Sequence, residues 1–224
     1  MTTAKRGPGR PRLSPAAVGT DAREQILEVA ARLFLAHGYA ATGTREIAAA
    51  AGLRPASLFY WFGRKEDILV ELLDRTVEPA LAVSDAMRRG ALGPEVGLFA
   101  LARGDVRNLC SGTYNLAALQ LLAEARAEPF APFWARRAEL RGRYRDLLVA
   151  IERADRLVPP SVELATDIVF GAVESVITWF DRGGEFAASA AADAVALTVV
   201  RGVVARPMSA GRLRSGADRF GLHH

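Results

Sequence analysis

The chain has 224 residues, half of them apolar and 24% charged, which is enough for one large or two modest domains and too apolar for wholesale disorder. Its single cysteine, Cys110, and its three histidines, His37, His223 and His224, exclude an intrachain disulfide, a cysteine zinc site and a histidine metal cluster. The formal net charge is +4, and Lys5, Arg6, Arg10 and Arg12 carry all of it: taking these four from 29 basic residues leaves 25, equal to the 25 acidic ones.

Residues 1–20 hold GPGRPRLSP and read as a flexible basic arm suited to nucleic acid or another anionic surface. DAREQILEVAARLFLAHG follows as a strong helix, with Asp21 as its cap, Glu24 completing the capping box, and Ile26, Ala30, Leu33 and Phe34 on one stripe. Gly38 ends it as a residue able to take positive φ. TREIAAAAG, 44–52, is a second, short helix that stops at Gly52, and Gly43 at its cap position supplies no side-chain acceptor. Pro55 suits the first turn of a third helix, and a fourth begins near Lys65. Two short helices joined by a tight glycine turn make a helix-turn-helix.

Beyond residue 80 the spacing predicts long helices over 106–128, 132–155, 160–184 and 187–207, the last ended by Pro207. Residues 208–224 return to Gly, Arg and Ser and read as a disordered tail. No strand alternation or internal repeat is visible, so the expected fold is all-α: a helix-turn-helix domain over 21–67 and a larger helical domain over 68–207. The N-terminus lacks the apolar core of a signal peptide, and the apolar stretch 186–205 is broken by Asp193 and Arg201. A cytoplasmic protein with no membrane span is expected.

Phe59, Tyr60, Trp61 and Phe62 are four consecutive aromatics in a chain that is 8% aromatic. Taken alone they suggest a buried strand. On a helix, with Leu58 at zero, Phe62 falls roughly 40° away and Tyr60 at about 200°. Leu58 and Phe62 then face the core beside Ile26, Phe34 and Ile47. Tyr60 faces out between the small residues Ala56 and Ser57, with Phe59 and Trp61 on the shoulders. An exposed aromatic ridge marks a contact surface, and the DNA major groove admits one helix. The alternative is that later helices cover this ridge, at Tyr60 or at Trp61.

GYAATGTREIAAAAGLRPASLFYWFGRKEDIL resembles the DNA-binding domain of TetR-type transcriptional regulators, over about residues 22–72. The resemblance implies a two-fold dimer whose third helices enter successive major grooves. Carried over by position, it implies DNA contacts from Thr44 and Arg45 on the second helix and from Arg54, Ala56 and Ser57 at the start of the third. Phe59 stands where the family usually has a phosphate-contacting Tyr, Tyr60 at a base- or backbone-contacting position, and Trp61 where His is common. Lys65 matches the family's phosphate-binding Lys, with an ordinary pair to Glu66 or Asp67 as the alternative, and Arg64 is a further phosphate candidate. Phe59 has no hydroxyl, so the family's hydrogen bond there cannot be made. Gly9-Arg10-Pro11 matches the centre of an AT-hook, but Pro8 stands where that motif prefers Arg; electrostatic support of DNA binding is the other reading.

For the larger domain the resemblance implies dimerisation through the last two long helices and a pocket for a small, mostly apolar effector. Phe99, Tyr114, Leu119, Leu122, Phe130, Phe133, Trp134, Phe170, Glu174 and Trp179 are its candidate lining. Glu174 is a carboxylate in an apolar stretch and needs a partner, in the pocket or as an Arg across the dimer. The function expected is a ligand-responsive regulator, a repressor of a palindromic operator; the alternative is a DNA-binding architectural or partner-controlled regulator without an inducer. No nucleophile–base pair, phosphate loop or metal cluster supports an enzyme, and no cofactor is expected.

Overall fold

The computed structural model describes residues 20–90 and 92–218, with side chains from residue 22 onward. The basic arm, the Asp21 cap, His223 and His224 lie outside the described residues or side chains. The chain divides into two compact units after Ile68.

The first unit contains α1 (Thr20–His37), α2 (Thr44–Ala50), α3 (Pro55–Trp61) and the first turn of α4 (Lys65–Arg89). Ile26, Ala30, Leu33 and Phe34 on α1 form the expected stripe and are buried with Ile47, Ala48, Leu58 and Phe62. Gly38 takes φ 85° at the end of α1. At the tight turn Gly52 has φ 67°; its N–H donates to Ala49 O at 3.1 Å and Leu53 N–H to Ala48 O at 2.8 Å. This double bond pattern closes a helix on a left-handed residue, so glycine is the residue the turn favours.

In the second unit α5 (Pro94–Cys110) is the centre, packed by α6 (Ala131–Arg153), α7 (Val162–Glu174), the one-turn α8 (Val176–Trp179), α9 (Ala188–Val203) and α10 (Ala210–Asp218). Residues 95–102 of α5 are all buried, and all but Glu95 are apolar or glycine, as suits a helix covered on every side there. Gly97 matters there: a Cβ would stand 2.9 Å from Leu147 Cδ2. Among the described residues the sole β feature is a bridge between Leu157 and Val204. No helix among them is long and apolar enough to cross a membrane.

Three expectations need correction. The helix expected over 106–128 is the end of α5, which starts already at Pro94; after Ser111 and Gly112 (φ 82°) come three 3-10 turns, Leu116–Leu121, Ala123–Arg126 and Glu128–Phe130. The Ser-Gly pair breaks the helix where apolar spacing alone ran through it. The segment expected over 160–184 begins at Val162, where Ser161 Oγ accepts from Leu164 N–H at 3.2 Å, and Ser175 separates its α7 and α8. The tail expected to be disordered contains α10. Leu213 and Ala217 are fully buried, a Cβ on Gly216 would stand 2.7 Å from Val96 Cγ1, and Asp218 pairs with Arg103 at 2.7 Å. Composition hid a narrow apolar stripe at i, i+4 spacing.

Candidate nucleic-acid interface and a polar cavity

Phe59, Tyr60 and Trp61 are helical, Phe62 is the extended residue that ends α3, and burial follows the projection. Leu58 is 0% and Phe62 4% exposed, while Tyr60 is 80% and Phe59 50% exposed. Trp61 is half-buried and packs edge-on against Tyr60, ring centres 5.1 Å apart at 87°. Tyr60 and Phe59 therefore stand out of the unit, with Trp61 bracing the ridge. Arg54 is the exposed residue preceding α3, Ala56 is exposed and Ser57 half-buried on its first turn. Thr44 opens α2, half-buried, and Arg45 beside it is exposed. Neither Arg45 nor Arg54 has an ion-pair partner among the described residues. Both cations are available to an anionic surface.

Lys65 lies elsewhere in the hydrogen-bond network. Its ammonium donates to the carbonyls of Tyr39 at 2.8 Å and Thr42 at 3.0 Å and sits 4.1 Å from the centre of the Tyr39 ring. It ties the start of α4 to the α1–α2 turn, and Thr42 Oγ1 tightens that turn by donating to Gly38 O at 2.9 Å. Neither Glu66 nor Asp67 takes it. Asp67 instead accepts from Arg64 N–H at 2.9 Å, as the third residue of a capped helix does, and pairs with the Arg64 guanidinium at 3.3 Å. Sequence gave no signal for the Lys65 tie, because its acceptors are backbone carbonyls brought in by folding.

In the second unit the ten candidate pocket residues do not line one chamber. Phe99, Leu119, Phe130 and Phe133 are close-packed core. Tyr114, Leu122 and Trp134 are half-buried, and Trp179 is 51% exposed. Phe170 and Glu174 do meet at a small cavity, with Thr76, Asp105, Gln120 and Arg137. Glu174 has its partner within the chain: Arg137 Nε donates to Glu174 Oε1 at 2.6 Å and Nη2 donates to Oε2. The guanidinium is held between the Trp134 and Phe170 rings, 5.2 and 5.0 Å from their centres. Asp105 is 2% exposed and accepts from Tyr144 Oη at 2.9 Å. Burial pushes its carboxyl up to about 7, the Tyr144 hydrogen bond pulling the other way. The same burial holds the Tyr144 phenol well above its ordinary range. Asp105 was missed, although the spacing Leu98, Leu101, Asp105 puts it on the buried stripe of α5. Among the described residues no group of side chains could hold a metal ion.

A short helix, a left-handed glycine turn and a second helix with an exposed aromatic ridge, followed by a mainly helical second unit, define a helix-turn-helix protein. Residues 26–72 match the bacterial regulatory proteins of the tetR family, and residues 113–203 match the tetracyclin repressor-like C-terminal domain. The crystal structure of AmtR from Mycobacterium smegmatis is 37% identical, with a TM-score of 0.79 over 93% of this chain and 98% of that one. The chain belongs to the TetR family. The HTH-type transcriptional repressor AcnR of Corynebacterium glutamicum is 30% identical over 110 residues, 49% of this chain and 54% of that protein. The regulator TcmR of Streptomyces glaucescens is 29% identical over 139 residues, 59% and 61% of the two chains. The matches to these two regulators thus span little more than half of their length. AibR, solved with isovaleryl coenzyme A and operator DNA, shares the fold at 23% identity and a TM-score of 0.65, over 79% of this chain and 97% of that one.

Proposed function

We propose that the protein is a cytoplasmic transcriptional repressor that binds a palindromic operator as a homodimer and releases it when a small molecule occupies the second unit. The observation that carries this reading is the exposed ridge of Tyr60 and Phe59 on α3, with Arg54 exposed just before that helix and Arg45 exposed on α2, neither arginine having an ion-pair partner among the described residues. Large apolar surface held in water on a short helix is a contact surface, and thymine methyl groups in a major groove suit it. Thr44, Ala56 and Ser57 lie on the same two helices and complete the surface we assign to DNA. Arg64 and Lys65 stand at its edge.

The homodimer is supported by a stripe on α7 and α8. Leu164, Ile168 and Trp179 are 44%, 47% and 51% exposed, and Gly171 between them lets a facing helix come close. Four apolar or small positions at helical spacing, left in water in a single chain, suit a self-complementary interface. Release by ligand acts by population shift: the effector favours a conformer in which two recognition helices no longer match successive grooves.

Fluorescence anisotropy with the DNA upstream of the gene and a random duplex of equal length, at physiological salt, tests the reading. Specific binding at least about 1000-fold tighter than to random duplex is expected. Equal affinities would refute it. A regulator controlled by a protein partner is the second reading, favoured by the close packing of Phe99, Phe130 and Phe133 where an apolar pocket was expected.

A further inference from the structure

A second, larger cavity of the second unit lies between α5, the later part of α4 and α10. Its volume is about 270 Å³, and Pro79, Val83, Ala100, Gly104 and Ala217 form an apolar wall. Two backbone features mark it. Pro79 stands inside α4 and has no N–H, so the Arg75 carbonyl four residues earlier loses its helical donor. Asn108 of α5 replaces that donor: its side-chain amide donates to Arg75 O at 3.3 Å and to Thr76 O at 3.0 Å. Pro79 and Asn108 both line the cavity, which begins where α4 is fastened to α5. Gly104 is the second feature. A glycine inside a helix is unfavourable relative to alanine, and a clash accounts for it at Gly97 but not here. A Cβ on Gly104 would stand 3.8 Å from both Val83 methyl carbons, an ordinary contact. The missing side chain therefore leaves space that a close-packed core would fill.

The charges define what fills it. The lining holds two arginines and no acidic residue. Arg103 is engaged: Nη1 donates to Asp218 at 2.7 Å, and Nε lies 2.8 Å from Asp193, which also pairs with Arg214 at 2.7 Å. These two arginines and two aspartates balance. Asn108 and Ser111 spend their side-chain hydrogens on backbone carbonyls. Arg107 is half-buried and has no ion-pair partner among the described residues. A ligand thus meets one unspent guanidinium beside an apolar wall. A cation is repelled there, and a neutral molecule leaves the charge unused. Phosphate has no apolar body for the wall. A monocarboxylate on an alkyl chain answers both halves, its two oxygens matching the guanidinium fork.

We infer that this cavity is the site of a small aliphatic monocarboxylate, its carboxylate paired with the Arg107 guanidinium and its chain lying along Pro79, Val83 and Gly104. A cavity of about 150 Å³ holds benzene, so about 270 Å³ holds roughly ten non-hydrogen atoms, a chain of about six to eight carbons. The inference rests on the function proposed above for what binding does to the operator; the binding itself is measured on the protein without DNA.

Thermal unfolding of the full chain, titrated with hexanoate, hexylamine, 1-hexanol or inorganic phosphate, separates the chemistries. At about ten times its Kd hexanoate raises Tm by about 3–6 °C, while the other three at that concentration raise it by less than about 1 °C. Arg107→Gln changes a side chain without an ion-pair partner, so the variant keeps a Tm near that of the wild type and binds hexanoate at least about tenfold more weakly. Arg107→Lys returns the charge and most of the binding. Gly104→Ala sets a Cβ in the cavity without a clash; it raises Tm in the absence of ligand and weakens hexanoate about 3–10-fold. An equal shift from hexanol or hexylamine, a shift from phosphate, no shift from hexanoate, or hexanoate affinity unchanged in Arg107→Gln or in Gly104→Ala overturns the site. Specific operator binding by a protein that binds no hexanoate sinks the site and leaves the repressor reading standing. Hexanoate binding that leaves operator affinity unchanged keeps the site and sinks the effector reading.

Discussion

The outer face of α3 and the cavity beside Asp105 are opposite solutions to placing chemistry on a helical protein. On α3 the groups we assign to DNA are apolar and face water, so their cost is hydrophobic exposure. In the cavity the groups are polar and hidden, so their cost is desolvation. Each is a group in the wrong environment for stability alone. A site is easier to find by that mismatch than by residue type, since Phe59 and Phe99 are the same residue and only one is exposed.

The sharpest test of the buried half is the pH dependence of stability. Asp105 has a folded value raised from 3.8 to about 7, so between these limits the folded chain binds more protons than the unfolded one. Stability therefore falls as pH rises through that window, by on the order of 4 kcal/mol in all, and the loss is complete above about 7. Asp105→Asn removes the titration. The variant should roughly match the wild type near pH 4 and exceed it increasingly up to pH 7, in urea denaturation followed by circular dichroism. Parallel curves across that range would mean that Asp105 is solvated, and the contrast with α3 would fail.

The exposed stripe on α7 and α8 extends the comparison to a second apolar surface. In the homodimer proposed above, Leu164→Glu places a carboxylate twice in the two-fold interface, once from each copy. Dimerisation measured by analytical ultracentrifugation should weaken at least 100-fold, about 3 kcal/mol, while the single-chain helicity is kept because Leu164 is 44% exposed. Tyr60→Ala is the matching change on α3. It should weaken operator binding about 10–100-fold and leave Tm within about 1 °C, because Tyr60 is 80% exposed. An unchanged operator affinity would remove Tyr60 from the reading surface.

The two regions also differ in how far they were legible beforehand. The helical projection of residues 55–62 needed only 100° per residue and the glycine turn, so Leu58, Tyr60 and Phe62 could be placed by local rules. Gly38 and Gly52 were legible for the same reason, each being a local backbone requirement. The cavity was not, because it joins α4, α5, α6, α7 and the 3-10 run, and no periodicity says which residues of five segments will meet. Glu174 was singled out as a charge in an apolar stretch, but its partner Arg137 is 37 residues away. Composition misled at α10, where arginines and glycines outnumber the two buried residues that dock it.

Lys65 lies between these cases and gives the smallest expected effect. Position assigns it to DNA phosphate, yet two of its three N–H donors point at the carbonyls of Tyr39 and Thr42. Lys65→Met keeps the stem and removes the head, so both carbonyls lose a donor at a cost of about 1 kcal/mol to folding. A phosphate contact would add a second signature, since losing one lowers the salt slope of DNA binding by about 1. With the ammonium engaged inside the first unit, the slope for Lys65→Met should equal that of the wild type, and any loss of affinity should be the same at every salt concentration. Arg45→Ala is the control, an exposed cation with no partner among the described residues, and it should lower the slope by about 1. Equal drops for the two variants would return Lys65 to the DNA surface and leave the α1–α2 turn to be held by the hydrogen bonds of Thr42 and Gly38.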